Sequence, residues 1–105
     1  MAETNSPGML QLSLMRALWG EVHAQLRQAS IEADTKRNIV RLRFEYDGDP
    51  EQSVLASCTH AASEVIADFP SPWQLEEQHI AAQAPMPLSQ LQYLVYRRAE
   101  AQNDA

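Results

Sequence analysis

The sequence predicts an α+β domain, ordered α-β-β-α-β-β, in which two helices pack on one face of a four-stranded, mainly antiparallel sheet. Three observations carry this. Leu14, Leu18, Val22 and Leu26 recur every four residues, as on one face of a helix. Val40, Leu42, Phe44 and Tyr46 alternate with Arg41, Arg43 and Glu45, the period of a half-buried strand. A second helical stripe, from Val54 through Cys58, Ala61, Ala62 and Val65 to Phe69, stops at Pro70.

Residues 1–12 are polar and rich in breakers, and are expected to form a flexible tail. Ser13 is placed to cap a first helix over about 13–28, whose stripe is widened by Met15 and by Trp19, expected in the core. Gly20 either weakens that helix by up to ~1 kcal/mol relative to Ala or allows close backbone packing. Ile31 to Asp34 make a short strand, Thr35 to Asn38 a polar turn, and Val40 to Tyr46 the returning strand of a hairpin. Asp49 is expected as N-cap of the second helix, with Pro50 as its first residue and Glu51 at the positive end of the helix dipole. Trp73 to about Ala82 is expected as a strand, with a bulge near Glu77 because its apolar residues change parity. Trp73 suits either the core or a surface anchor. Leu91 to Arg97 is apolar on both faces and is expected as an inner strand. A flexible tail over 99–105 leaves 13–98 as a single α+β domain, its far sheet face open to water or to a partner.

Composition narrows the function. The 105 residues are 45% apolar and 21% charged, ordinary for a globular chain. No run approaches the ~18–20 apolar residues of a membrane span, and the N-terminus lacks a basic leader, so a cytoplasmic protein is expected. Fourteen acidic residues against eight Lys and Arg give a net charge of −6. No Lys or Arg lies between Phe44 and Tyr96, an interval that holds Glu45, Asp47, Asp49, Glu51, Glu64, Asp68, Glu76 and Glu77. Such a field disfavours nucleic acid, which needs a basic patch, and favours a cationic partner. The plainer account is a solvated acidic surface that keeps the protein soluble.

No spacing suits a metal or a cofactor, and none is expected: Cys58 and His60 lie about 200° apart on a helix, and His23 and His79 belong to other elements. No nucleophile elbow or phosphate loop is present, and the carboxylates fall in turns and caps that keep them ionised, so no enzyme is expected. The most distinctive segment is Glu45-Tyr46-Asp47-Gly48-Asp49-Pro50-Glu51. It is either a solvated turn or an anionic knob that docks into a basic cleft. Glu45, Tyr46, Asp47, Asp49 and Glu51 are the candidate partner-binding residues, extended by Glu76 and Glu77 if their strand adjoins the hairpin.

Leu14-Met15-Arg16-Ala17-Leu18-Trp19-Gly20-Glu21-Val22, Leu42-Arg43-Phe44-Glu45-Tyr46-Asp47-Gly48, Ser63-Glu64-Val65-Ile66-Ala67-Asp68-Phe69 and Leu94-Val95-Tyr96-Arg97-Arg98 resemble a group of small bacterial immunity proteins. These belong to contact-dependent growth inhibition and related polymorphic toxin systems. The resemblance, over about residues 14–98, implies a cytoplasmic, non-catalytic inhibitor of the C-terminal domain of a cognate toxin. Many such toxins are nucleases with basic clefts, which an acidic inhibitor can fill. The alternative is a small cytoplasmic regulatory or adaptor subunit that binds a basic protein.

Overall fold

A computed structural model describes residues 6–100. Its elements are α1 (Pro7–Ala17), β1 (Leu26–Asp34), β2 (Ile39–Tyr46), α2 (Gln52–Ala67), β3 (Gln74–Ala81) and β4 (Tyr93–Arg97), the expected α-β-β-α-β-β order. The sheet runs β3-β2-β1-β4. β1 pairs antiparallel with β2 and with β4, whereas β2 and β3 are parallel, so the sheet is mixed. The two C-terminal strands therefore form opposite edges, and β4 is an edge strand rather than an inner one. Its double-sided apolarity has another cause: α1 packs on one side, and Leu94, on the other, pairs with the buried Ser30.

α1 begins six residues before the expected start. Ser6 caps it, accepting from the Met9 amide, and Pro7 is the first helical residue. Residues 7–12, expected in the tail, are thus helical, and residues 1–5 and 101–105 lie outside the described residues. Ser13 is not a cap; its buried hydroxyl donates to Asp68 at 2.7 Å and ties α1 to the end of α2. The helix ends at Ala17 because Gly20 takes φ +79°, a left-handed turn open to glycine. The four-residue spacing misleads here: Leu14 and Leu18 face the core from α1, Leu26 reaches it from β1, and Trp19 and Val22 are exposed on the turn between.

β1 and β2 form the expected hairpin, extended back to Leu26, with Asn38 left-handed in the turn. Ala29, Ile31, Val40, Leu42, Phe44 and Tyr46 point toward the helices and join Val54, Cys58, Ala61, Ala62 and Val65 of α2 in one core. α2 is capped by Glu51, not Asp49, and without a side-chain bond. Gln25 does that work: its amide donates to the Asp47 and Asp49 carbonyls and its oxygen accepts from the Glu51 amide. β3 needs no bulge. Its register against β2 is continuous from Ile39↔Gln74 to Tyr46↔Ala81, with Leu75, Glu77 and His79 toward the helices and Glu76, Gln78 and Ile80 on the far side. Trp73 joins the core, its ring 5.2 Å from that of Phe69.

The far sheet face is not open. The β3–β4 connection, residues 82–92, crosses it as a strap held by polar groups of the inner strands. Arg27 donates to the Ala82 and Met86 carbonyls, Glu45 accepts from the Ser89 amide, Ser30 from Leu91 and Glu32 from Gln92. Gln28, Ser30 and Glu45 are consequently buried. Among the described residues no buried side-chain nitrogen or oxygen lacks a partner, as a desolvated polar layer requires.

Candidate partner-binding surface

The seven predicted site residues do not converge. Glu45 is 2% exposed and holds the strap, accepting from the Gln28 side chain at 2.8 Å and the Ser89 amide at 2.7 Å. Tyr46 is fully buried on the opposite face, its hydroxyl 2.7 Å from His79 Nδ1. His79 Nε2 donates to Glu77 at 2.9 Å, which leaves Nδ1 to accept the Tyr46 proton. Burial pushes the phenol of Tyr46 above its ordinary pKa. Asp47 accepts from the Ala84 amide and from Arg98; these bonds, that of Ala84 first, hold its carboxyl below the ordinary range. Glu76 is ion-paired with Arg41, which also lowers its pKa. Glu77 faces the other way. Only Asp49 and Glu51 are exposed, with no ion pair among the described residues. The segment 45–51 is thus no protruding anionic knob; of its four carboxylates Glu45 is turned inward and Asp47 is taken by Arg98, which leaves Asp49 and Glu51 outside.

The same pairing brings other groups together. Leu26↔Tyr46 places the 18–25 turn and the 47–51 turn at one end of the sheet, and Gln25 bonds the two. The β1–β2 turn, with exposed Lys36 and Arg37, lies at the other end, about 27 Å away along the eight residues of β2. Beside the 18–25 turn runs α2, where His60 bonds Glu21 and approaches Glu64 at 3.7 Å; the bond to Glu21 raises the His60 pKa. α2 carries no Lys or Arg. Two arginines of this end are neutralised internally, Arg27 by Glu100 and Arg98 by Asp47 and Glu100, whereas exposed Arg97, on the β4 edge, bonds the Gln28 side chain. The outward charge of α2 and its neighbouring turns is therefore acidic, from Glu21, Asp49, Glu51 and Glu64.

The apolar exposure of the same end was not expected. Trp19 is 71% exposed, and Val22 is exposed three residues on. The signal for this was Gly20, which ends the helix and turns Trp19 away from the core. Among the described residues no group of three or more His, Cys, Asp and Glu converges as metal ligands. Cys58 is buried in the core, and its burial raises the thiol pKa.

The family model described as MafI2 immunity protein matches residues 7–100. The chain belongs to the MafI2 immunity protein family. Comparison with curated proteins gives no match. Family membership supplies a toxin-neutralising immunity function, in agreement with the resemblance of residues 14–98 to immunity proteins of polymorphic toxin systems. The MafI2 match starts at the first residue of α1 and ends at Glu100, so it takes in both ends of the fold, including the Arg27–Glu100 pair. For a MafI2 immunity protein the required chemistry is recognition of a toxin protein, and the exposed acidic and aromatic groups beside α2 are of the type that recognition uses. No helix among the described residues is long and apolar enough to cross a membrane.

Proposed function

We propose that this chain waits in the cytoplasm and neutralises the C-terminal domain of a cognate toxin, a nuclease with a basic substrate cleft, by covering that cleft without catalysing any reaction itself. The observation that carries this is the separation of charge: acidic groups without a Lys or Arg along α2, and the exposed cations Lys36 and Arg37, the latter 3.9 Å from Asp34, at the far turn. A nuclease cleft must be basic to hold a phosphate backbone, so opposite fields steer the encounter. Of the acidic segment first singled out, Asp49 and Glu51 remain as contact residues, whereas Glu45, Tyr46, Asp47, Glu76 and Glu77 support the fold.

The test pairs the protein with an inactivated toxin domain from the adjoining reading frame. Asp49→Lys with Glu51→Lys slows association about 10-fold at low salt and flattens its salt dependence in stopped flow. A melt controls for folding, since a lysine at the α2 N-terminus costs up to ~1 kcal/mol through the helix dipole. Association unchanged at every salt concentration refutes the steering. Failure of the unaltered protein to co-purify with the domain, or to rescue growth when co-expressed with the active toxin, refutes the function.

A further inference from the structure

We infer that Trp19, presented on the Gly20 turn beside α2, is the anchor by which the chain holds a basic toxin domain. This rests on the immunity reading and goes beyond it by naming the contact that slows release. A tryptophan exposed to 71% is an unusual surface residue in a chain whose other tryptophan packs in the core. Its position is set by the backbone rather than by chance exposure. The Trp19 amide bonds Arg16, the Glu21 amide bonds Leu18, and Gly20 at φ +79° reverses the chain between them. A ring on so short a turn loses little freedom when bound, which favours aromatic anchors.

The occupant follows from the rim. Val22 adds apolar surface and Glu21 a carboxylate on the same turn, His60 and Glu64 lie alongside on α2, and exposed Arg16 stands at the end of α1. Glu51 and Asp49 close the end, joined to this turn through Gln25. An aromatic group whose border carries four carboxylates against Arg16 fits a cationic protein surface, where the ring meets apolar or guanidinium groups and the carboxylates meet Lys and Arg. A nucleic acid does not fit such a border. The opposite end of the sheet, with Lys36 and Arg37, lacks both features and serves as an internal control.

The experiment measures binding of an inactivated toxin domain from the adjoining reading frame by surface kinetics, with Trp19→Ala, Trp19→Phe and the control Lys36→Ala/Arg37→Ala. Trp19→Ala raises Kd at least about 30-fold, mainly through faster dissociation. Trp19→Phe recovers part of the loss, and the control binds as the unaltered protein does. Melting temperatures stay together, because the ring supports no core contact. Trp19→Ala that binds like the unaltered protein overturns the anchor while leaving the immunity function standing. No binding by the unaltered protein overturns both. A concentration-dependent dimer in sedimentation, abolished by Trp19→Ala, assigns the ring to a second copy and overturns the proposal.

Discussion

Glu100→Gln tests whether the C-terminal segment is a structural closure. Arg27 is 3% exposed, and its guanidinium meets Glu100 at two points, 2.6 and 2.7 Å, while its third nitrogen holds the Ala82 and Met86 carbonyls. Glutamine keeps the shape and removes the charge, leaving a buried cation among neutral acceptors. Breaking a buried pair from one side costs about 3–5 kcal/mol. Glu100 keeps 27% side-chain exposure, so the lower end applies, about 3 kcal/mol. At ~4–8 °C per kcal/mol for a domain this size, the melting temperature falls by on the order of 15 °C. A pH signature separates charge from packing. The bond from Arg27 lowers the Glu100 pKa to about 2. A depressed carboxylate stabilises the fold fully above its unfolded pKa, near 4.5, and loses that effect as pH falls toward 2. The unaltered protein therefore loses more stability than Glu100→Gln between those limits. Urea melts at pH 7 and through pH 5 to 2 measure both. A variant within ~0.5 kcal/mol of the parent, with the same acid slope, refutes the buried-pair argument.

Two further outcomes follow from the same structure. Glu45→Ala strands the Gln28 amide and the Ser89 N–H, costs about 2–4 kcal/mol, and speeds hydrogen exchange and proteolysis in the strap; full stability with unchanged exchange at Ser89 shows that the strap is not held there. Gly20→Ala places a Cβ in a left-handed conformation with open space around it; the loss in a denaturant melt is about 1 kcal/mol from the backbone alone, and no loss shows that the turn relaxes to another conformation.

Legibility followed the number of environments each face meets. β2 is readable because its even residues all face the helices, and the α2 stripe because one face lies on the sheet. α1 was displaced because leucines separated by four residues continue through Gly20 into β1, where Leu26 reaches the core from a strand. Ser6 and Pro7 carry the start signal of α1, whereas Ser13 only precedes the four-residue spacing. Neither the parallel β2–β3 pairing nor the edge position of β4 could be read locally, since both depend on partners dozens of residues away. The candidate site residues are scattered for a related reason. Glu45 alternates with apolar residues, as an exposed residue does, yet the strap covers it. Net charge showed that the protein is acidic without showing which carboxylates the arginines would take inward.

The long crossing from β3 to β4 sets an order on synthesis. By Ala81 the growing chain holds both helices and three strands, yet the outer edge of β1 is unpaired, the trough of Gln28, Ser30 and Glu45 lies wet, and Arg27 has no carboxylate of its own. The nineteen residues from Ala82 to Glu100 seal all three together. A premature stop within them therefore yields an unroofed sheet instead of a slightly shorter inhibitor, and quality-control proteases would meet it first on that side.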